Sequence, residues 1–262
     1  METKVNPLAS VLGLVDTVIV ITVEGENKRQ EQVKQLLDSH EVPFHYLYGA
    51  DFRKSSIDEL KAEQIYDPSL KLRDQQPLLT PGEVGCAVSH RMAAEKVAAG
   101  EYGSVLVLED DVLILEQNLA TLEASISSMP SDWDLLYLGY NKQNLSMPWS
   151  IRLKLLSWYP LRYWLGSKRH DPSSIRRIYR GPYDRYWYRA GCFNGAHAYA
   201  INTTAAEYLV KLQTPVRLEA DVALKHLVRF SGLNSYCLRD DVFDQRRDVP
   251  SLVGDRPAWH HT

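Results

Sequence analysis

The sequence predicts an α/β fold built on a parallel sheet, and three observations carry that reading. The chain opens as strand, helix, strand; its strands are continuous apolar runs of the kind buried on both faces; and a fully capped helix precedes the third strand.

Asp16 to Val23 (DTVIVITV) is too short for a helix and too uniformly apolar for a half-exposed strand, so it reads as a central strand. Asn27 to Ser39 follows as a helix, with Val33, Leu36 and Leu37 recurring at helical spacing among charges. A second strand starts at Val42-Pro43-Phe44 and ends near Tyr48. Thr80-Pro81-Gly82-Glu83 combines a capping threonine, a proline at the first helical position and a glutamate at the third, which opens a helix through Ala99. Ser104 to Leu108 (SVLVL) is the third strand and stops at three acids. Trp133 to Leu138 (WDLLYL) and Ala196 to Ile201 (AHAYAI) are further strands, and Asn202 to Leu212 is a helix.

With 262 residues, 45% of them apolar, the chain can bury one ordinary core, and a single domain over 1–262 is expected. A net charge of -3 sets up no global field towards nucleic acid, and no nucleic-acid partner is expected. Cys86, Cys192 and Cys237 are widely spaced, with no zinc-binding pattern and no even disulfide set, which favours a reducing compartment. The apolar stretch from Leu8 to Val15 has no cleavage signature, and no run approaches the ~20 apolar residues of a membrane span. The expected location is cytoplasmic.

Glu109, Asp110 and Asp111 fall where a buried parallel strand emerges at its carboxyl end, the edge at which open α/β sheets bind ligands. Adjacent carboxylates repel, so a compact acidic cluster there is best tolerated when a cation neutralises it. Alternate residues share a side, making Glu109 and Asp111 the pair facing one metal. Oxygen ligands and a phosphate-bearing substrate suit Mn2+ or Mg2+. A solvated acidic loop is the plainer alternative for such a triplet taken alone.

Leu79 to His90 (LTPGEVGCAVSH), followed by a strand and Leu108-Glu109-Asp110-Asp111-Val112, resembles glycosyltransferase family 25, which includes lipopolysaccharide-biosynthesis and collagen-modifying galactosyltransferases. Trp133-Asp134, Tyr137-Leu138-Gly139, Ala198 to Ile201, Asp221, Gln245 and Ser251 extend the likeness over most of the chain. The resemblance implies a GT-A-type, Rossmann-like nucleotide-sugar-binding sheet, an inverting reaction and a UDP-hexose donor, commonly UDP-galactose. It gives Glu109 and Asp111 the part of the family's metal-binding acids, with Asp110 a close alternative. The turn after the first strand departs from the family's Asn-Leu and arginine-rich pattern, reading Val23-Glu24-Gly25-Glu26-Asn27-Lys28-Arg29.

A transferase also needs a base for the acceptor proton. Asp221, in LEADVAL, matches the family's aspartate, and Glu219 is its alternative. Ser89 and His90 are candidate donor contacts, as are Thr22 and Arg29 after the first strand and Asp51 after the second. His197 is either a third metal ligand or a core histidine. The donor-nucleotide and metal half is expected over 16–139 and the acceptor and catalytic half over 191–262.

Between them, residues 140–190 form a basic, aromatic insertion. From 141 to 190 eleven Lys and Arg stand against two Asp, with four of the chain's six tryptophans. Trp149 to Arg169 mixes Leu, Ile and Trp with basic residues, interrupted by Pro160, the composition of a segment that lies in lipid headgroups. Tyr183 to Arg189 (YDRYWYR) is suited to stacking on sugars and pairing with phosphate. The expected partners are a UDP-sugar donor and a glycan or lipid-linked acceptor, with peripheral membrane contact through 149–169. A catalytically silent sugar-nucleotide or glycan-binding protein of the same fold is the alternative.

Overall fold

Every strand and helix expected from the opening half of the chain is present. The structure, a computed structural model, describes residue 8 and residues 13–70, 77–167 and 170–248; Ser251 and Arg169 lie outside them. In chain order the elements begin with β1 (Thr17–Thr22), α1 (Asn27–Ser39), β2 (His45–Tyr48), α2 (Ile57–Ala62) and α3 (Pro81–Ala98). β3 (Ser104–Glu109), β4 (Val112–Ile114), α4 (Leu119–Ile126), β5 (Leu135–Asn141), α5 (Trp149–Trp164) and α6 (Pro172–Arg176) follow. The last are β6 (Gly181–Pro182), β7 (Trp187–Arg189), β8 (Asn194–Asn202), α7 (Thr203–Leu212), α8 (Ala220–His226), β9 (Ser235–Leu238) and β10 (Phe243–Gln245).

One eight-stranded sheet runs β2-β1-β3-β8-β5-β9-β7-β6. β1 pairs in parallel with both β2 and β3, and β5 with β9. β8 is antiparallel to both its neighbours, β3 and β5, and β7 is antiparallel to β9. The α/β expectation therefore holds, with antiparallel strands interleaved. The insertion is partly sheet as well: β6 and β7 extend it, and Trp187 is fully buried. Pro160 does not interrupt α5, which runs through it. Its missing N–H costs one hydrogen bond, and the carbonyl released, on the exposed Leu156, can be hydrated.

Both faces of the sheet are covered, and the alternation along its strands decides which acid meets which helix. Ile19, Ile21, Val105 and Val107 share a core with Ala93, Ala94 and Val97 of α3 and with residues of α7 and α8. Val18, Val20, Leu106 and Leu108 share the other with Val33 and Leu37 of α1 and Leu119 and Leu122 of α4. Continuing that period of two, Glu109 points to the α3 side and Asp110 to the α1 side.

α3 begins with the expected capping box, Thr80 accepting from the Glu83 amide while the Glu83 carboxylate accepts from that of Thr80. Gly85 lets this helix touch the chain leaving β2: a Cβ there would sit 2.6 Å from the Ala50 carbonyl oxygen. The helix is thereby seated against the ends of β1 and β2, with its first turns bordering the sheet's carboxyl edge.

Candidate active site

At that edge lies a cavity of about 240 Å³. Thr22 and Arg29 enter it from β1 and α1, Ser89 and His90 from α3, the acidic triplet from β3, and Glu219 and Asp221 from the start of α8. Asp51 lines it from the chain after β2. Of the donor-contact, metal and catalytic candidates picked out from the sequence, His197 alone is not part of the lining.

The three acids part ways as the strand alternation dictates. Asp110 accepts from Thr22 Oγ1 at 2.7 Å and pairs with Arg29 Nε at 2.8 Å. Arg29 also reaches over to Asp111, Nη2 to Oδ2 at 2.5 Å. Glu109 faces α3, its Oε1 3.3 Å from His90 Nε2. Glu109 and Asp111 nonetheless share a neighbour, because Gln245 Nε2 donates to Glu109 Oε2 at 3.1 Å and to Asp111 Oδ2 at 3.2 Å. Gln245 is put there by β10, which pairs antiparallel with β4 immediately after the acids.

Positive charge is short in this cluster. Burial, reinforced by the charge of Glu109 and only partly offset by Arg29, pushes the Asp111 carboxyl up to about 7. Burial likewise raises Asp110 against Thr22 and Arg29. For Glu109 burial acts in the same direction, but the His90 ring beside it, together with His197 and Arg29, outweighs this and holds it below its ordinary value.

The remaining residues divide by what they touch. Asp221 Oδ2 accepts from Lys225 Nζ at 3.0 Å, one helical turn on, and from the Gly195 amide at 3.4 Å. Asp51 is gripped by the Arg53 fork, which holds its carboxyl down to about 2, and Arg53 also pairs with Glu26 across the mouth. Ser89 is engaged structurally: its hydroxyl donates to the Gly85 carbonyl and accepts from the Ala50 amide. His197 lies under the floor at 1% exposure, where a Cβ on either Gly139 or Gly195 would meet its ring at about 3 Å. Burial lowers its pKa against the opposing charges of Glu109 and Asp244. The core-histidine reading suits this position.

A family model described as glycosyltransferase family 25 (LPS biosynthesis protein) matches residues 15–224. The chain belongs to that family. Procollagen galactosyltransferase 2 of Homo sapiens is 27% identical over 137 residues, which are 51% of this chain and 22% of that protein. The inactive glycosyltransferase 25 family member 3 of Homo sapiens is 30% identical over 135 residues, 49% of this chain and 22% of that protein. The chain thus aligns with under a quarter of the length of these relatives. Among solved structures, a glycosyltransferase involved in the glycosylation of the major capsid of PBCV-1 is 13% identical, covering 89% of this chain and 93% of that one at a TM-score of 0.38.

Glu109 and Asp111 present carboxylate oxygens around one amide, and the upward displacement of Asp111 marks a cluster that a hard divalent ion would relieve. Two carboxylates facing one amide are oxygen donors of the kind a hard divalent ion takes. Among the described residues, the group that has the spacing of three metal ligands is Cys86, His90 and Glu109, with ligand atoms all within 4.8 Å of one another. Cys86 was missed from the sequence, although its spacing of four from His90 on a helix was a usable signal. Gln245 was noticed only for the family likeness; that it bridges two acids depends on the β4–β10 pairing, to which nothing in its own segment points.

Proposed function

We propose that this protein is a metal-dependent, inverting hexosyltransferase that moves a sugar, galactose first among candidates, from a UDP-hexose donor to a hydroxyl of a lipopolysaccharide or other glycan acceptor. The observation that supports this most is the meeting of Glu109, Asp110, Asp111 and Asp221 in one cavity at the carboxyl edge of the sheet. Family membership supports the class of reaction; donor, metal, stereochemistry and acceptor are the proposal.

In this reading Glu109 and Asp111 hold Mn2+ or Mg2+, with Asp110 assisting. The ion, when bound, neutralises charge developing on the departing diphosphate. Arg29 and Thr22 fix the acids in place, while Asp51, Ser89 and His90 form the donor side of the cavity. Asp221, oriented by Lys225 and the Gly195 amide, accepts the acceptor's proton, and Glu219 is the neighbouring carboxylate that could take its place.

The acceptor is proposed to be lipid-linked and the protein to work in the cytoplasm against the inner face of the membrane. Trp149, Leu153, Leu156 and Trp164 lie on one stripe of α5 and are exposed. The helix carries Arg152, Lys154 and Arg162 and no acid, so the surface it complements is one of anionic headgroups. No helix among the described residues is long and apolar enough to cross a membrane.

A catalytically silent binding protein is the second reading, raised by the relative whose name calls it inactive. UDP release separates the two. With a panel of UDP-sugars and Mn2+, hydrolysis of one donor that is abolished by Asp111→Ala supports the transferase. Donor binding without turnover across acceptors supports the silent protein, and absence of both removes the acidic turn as a donor site.

A further inference from the structure

We propose that Cys86, His90 and Glu109 form a second metal site of mixed sulfur, nitrogen and oxygen donors, which takes Zn2+ and thereby inhibits the protein. Cys86 and His90 are one turn apart on α3 and so project from the same face of the helix. That face abuts the end of β3, where the strand alternation aims Glu109. The thiol sulfur, imidazole nitrogen and carboxylate oxygen come within 4.8 Å of one another, and all three residues line the cavity, so an ion can reach them from solvent.

The histidine is arranged as a ligand would be. His90 Nδ1 is engaged by the Tyr199 hydroxyl at 2.9 Å, which sets the ring's orientation from behind. Nε2 is thus turned to the Cys86–Glu109 side, where it is buried and has no partner at hydrogen-bonding angle, although Glu109 Oε1 stands 3.3 Å away. His90 is only 7% exposed and the nearest partner of Nε2 is the Glu109 carboxylate at 3.3 Å, so an ion held by both would replace this long contact with coordination to each.

Donor chemistry separates this site from the acidic pair it adjoins. Mn2+ and Mg2+ favour an all-oxygen shell, whereas a thiolate and an imidazole favour Zn2+, with three protein ligands and a fourth position open to water. On binding, the Cys86 thiol releases its proton to solvent and a zinc–sulfur bond forms, with no change of oxidation state. Glu109 is common to both sites, so zinc would draw it towards α3 and away from Asp111. That inhibition rests on the proposed transferase function; the binding does not.

Cobalt(II) substitutes for zinc and reports on its ligands. Titrating the full chain with Co2+ should produce a thiolate-to-cobalt charge-transfer band that survives in Asp111→Asn and is lost in Cys86→Ser and His90→Gln, each checked for an unchanged melting transition. In a UDP-release assay with saturating Mn2+, Cys86→Ser should require at least tenfold more zinc for half-inhibition than the wild type. A missing band, or one that persists in Cys86→Ser, overturns the site. If no UDP-sugar is turned over, the cobalt spectrum alone decides, so failure of the transferase reading stays distinguishable.

Discussion

The guanidinium of Arg29 spans two consecutive acids, pairing with Asp110 at 2.8 Å and Asp111 at 2.5 Å, in a site where all three residues are buried. It is a fixed cation within the chain's own sequence, and it cannot leave when the cavity empties. Removing one partner of a buried pair typically costs about 3–5 kcal/mol because the other charge is stranded. Arg29→Gln should therefore lower the thermal midpoint strongly in chelator and recover part of the loss in Mn2+. Equal melting of variant and wild type in chelator would show that the pairing carries no stability.

Asp221→Asn preserves shape but removes the capacity to take a proton. UDP release in the presence of acceptor should fall by about 10²–10⁴, the span ordinarily lost with a general base, while donor affinity stays within a few-fold. A matching fall in donor affinity would instead make Asp221 a donor-binding residue.

The exposed stripe of α5 predicts membrane affinity that salt weakens. Leu156→Glu combined with Trp164→Glu should reduce co-sedimentation with phosphatidylserine vesicles at least tenfold, and neutral vesicles should capture little of the wild type. Undiminished sedimentation of the variant would exclude α5 as the contact.

Asp241 is outside the cavity and makes a stability test. Burial, only partly answered by Lys142 at 3.4 Å, pushes its carboxyl up to about 6 from 3.8. Near pH 4 and below, the folded state keeps the proton and there is no penalty. As pH rises from about 4 to 6 the unfolded chain ionises first, so the wild type loses stability, by about 3 kcal/mol at ~1.4 kcal/mol per unit of displacement. Asp241→Asn should remove that slope, gaining on the wild type between pH 4 and pH 7. Parallel stability curves would refute the displacement.

The sheet's first three strands, α1, α3 and α7 were legible because each is written in a local pattern: continuous apolar runs, spacing of three and four, or a capping box. The acidic turn was legible for the same reason, since its position follows directly from where β3 stops. What escaped was set by distant pairing. β9 (SYCL) is four residues long and owes its place to parallel pairing with β5, and β10 is three residues long and owes its own to β4. The partition of the acids, Glu109 to His90 and Asp110 to Arg29, was implicit in the alternation of SVLVLE but needed knowledge of which helix covers which face. Arg29 read as easily as a helix-surface charge, because a charged residue in the first turn of α1 gives no sign that two carboxylates lie beyond it. His197 shows the converse. A histidine among small residues beside a strand reads equally as a ligand or a core residue, and the two glycines that admit its ring, Gly139 and Gly195, put it under the floor.

The strand β8, paired on one side with β3 and on the other with β5, has a consequence for synthesis. At about 5–20 residues per second, roughly ninety residues separate the end of β3 from the end of β8, so the growing chain spends on the order of 5–20 s with β3 lacking its second neighbour. An unpaired edge of SVLVL is the kind of template that recruits strands from other molecules. The acids that end it place fixed negative charge at that edge, where two nascent chains would repel. Neutralising them would be felt first in the yield of soluble protein from the ribosome.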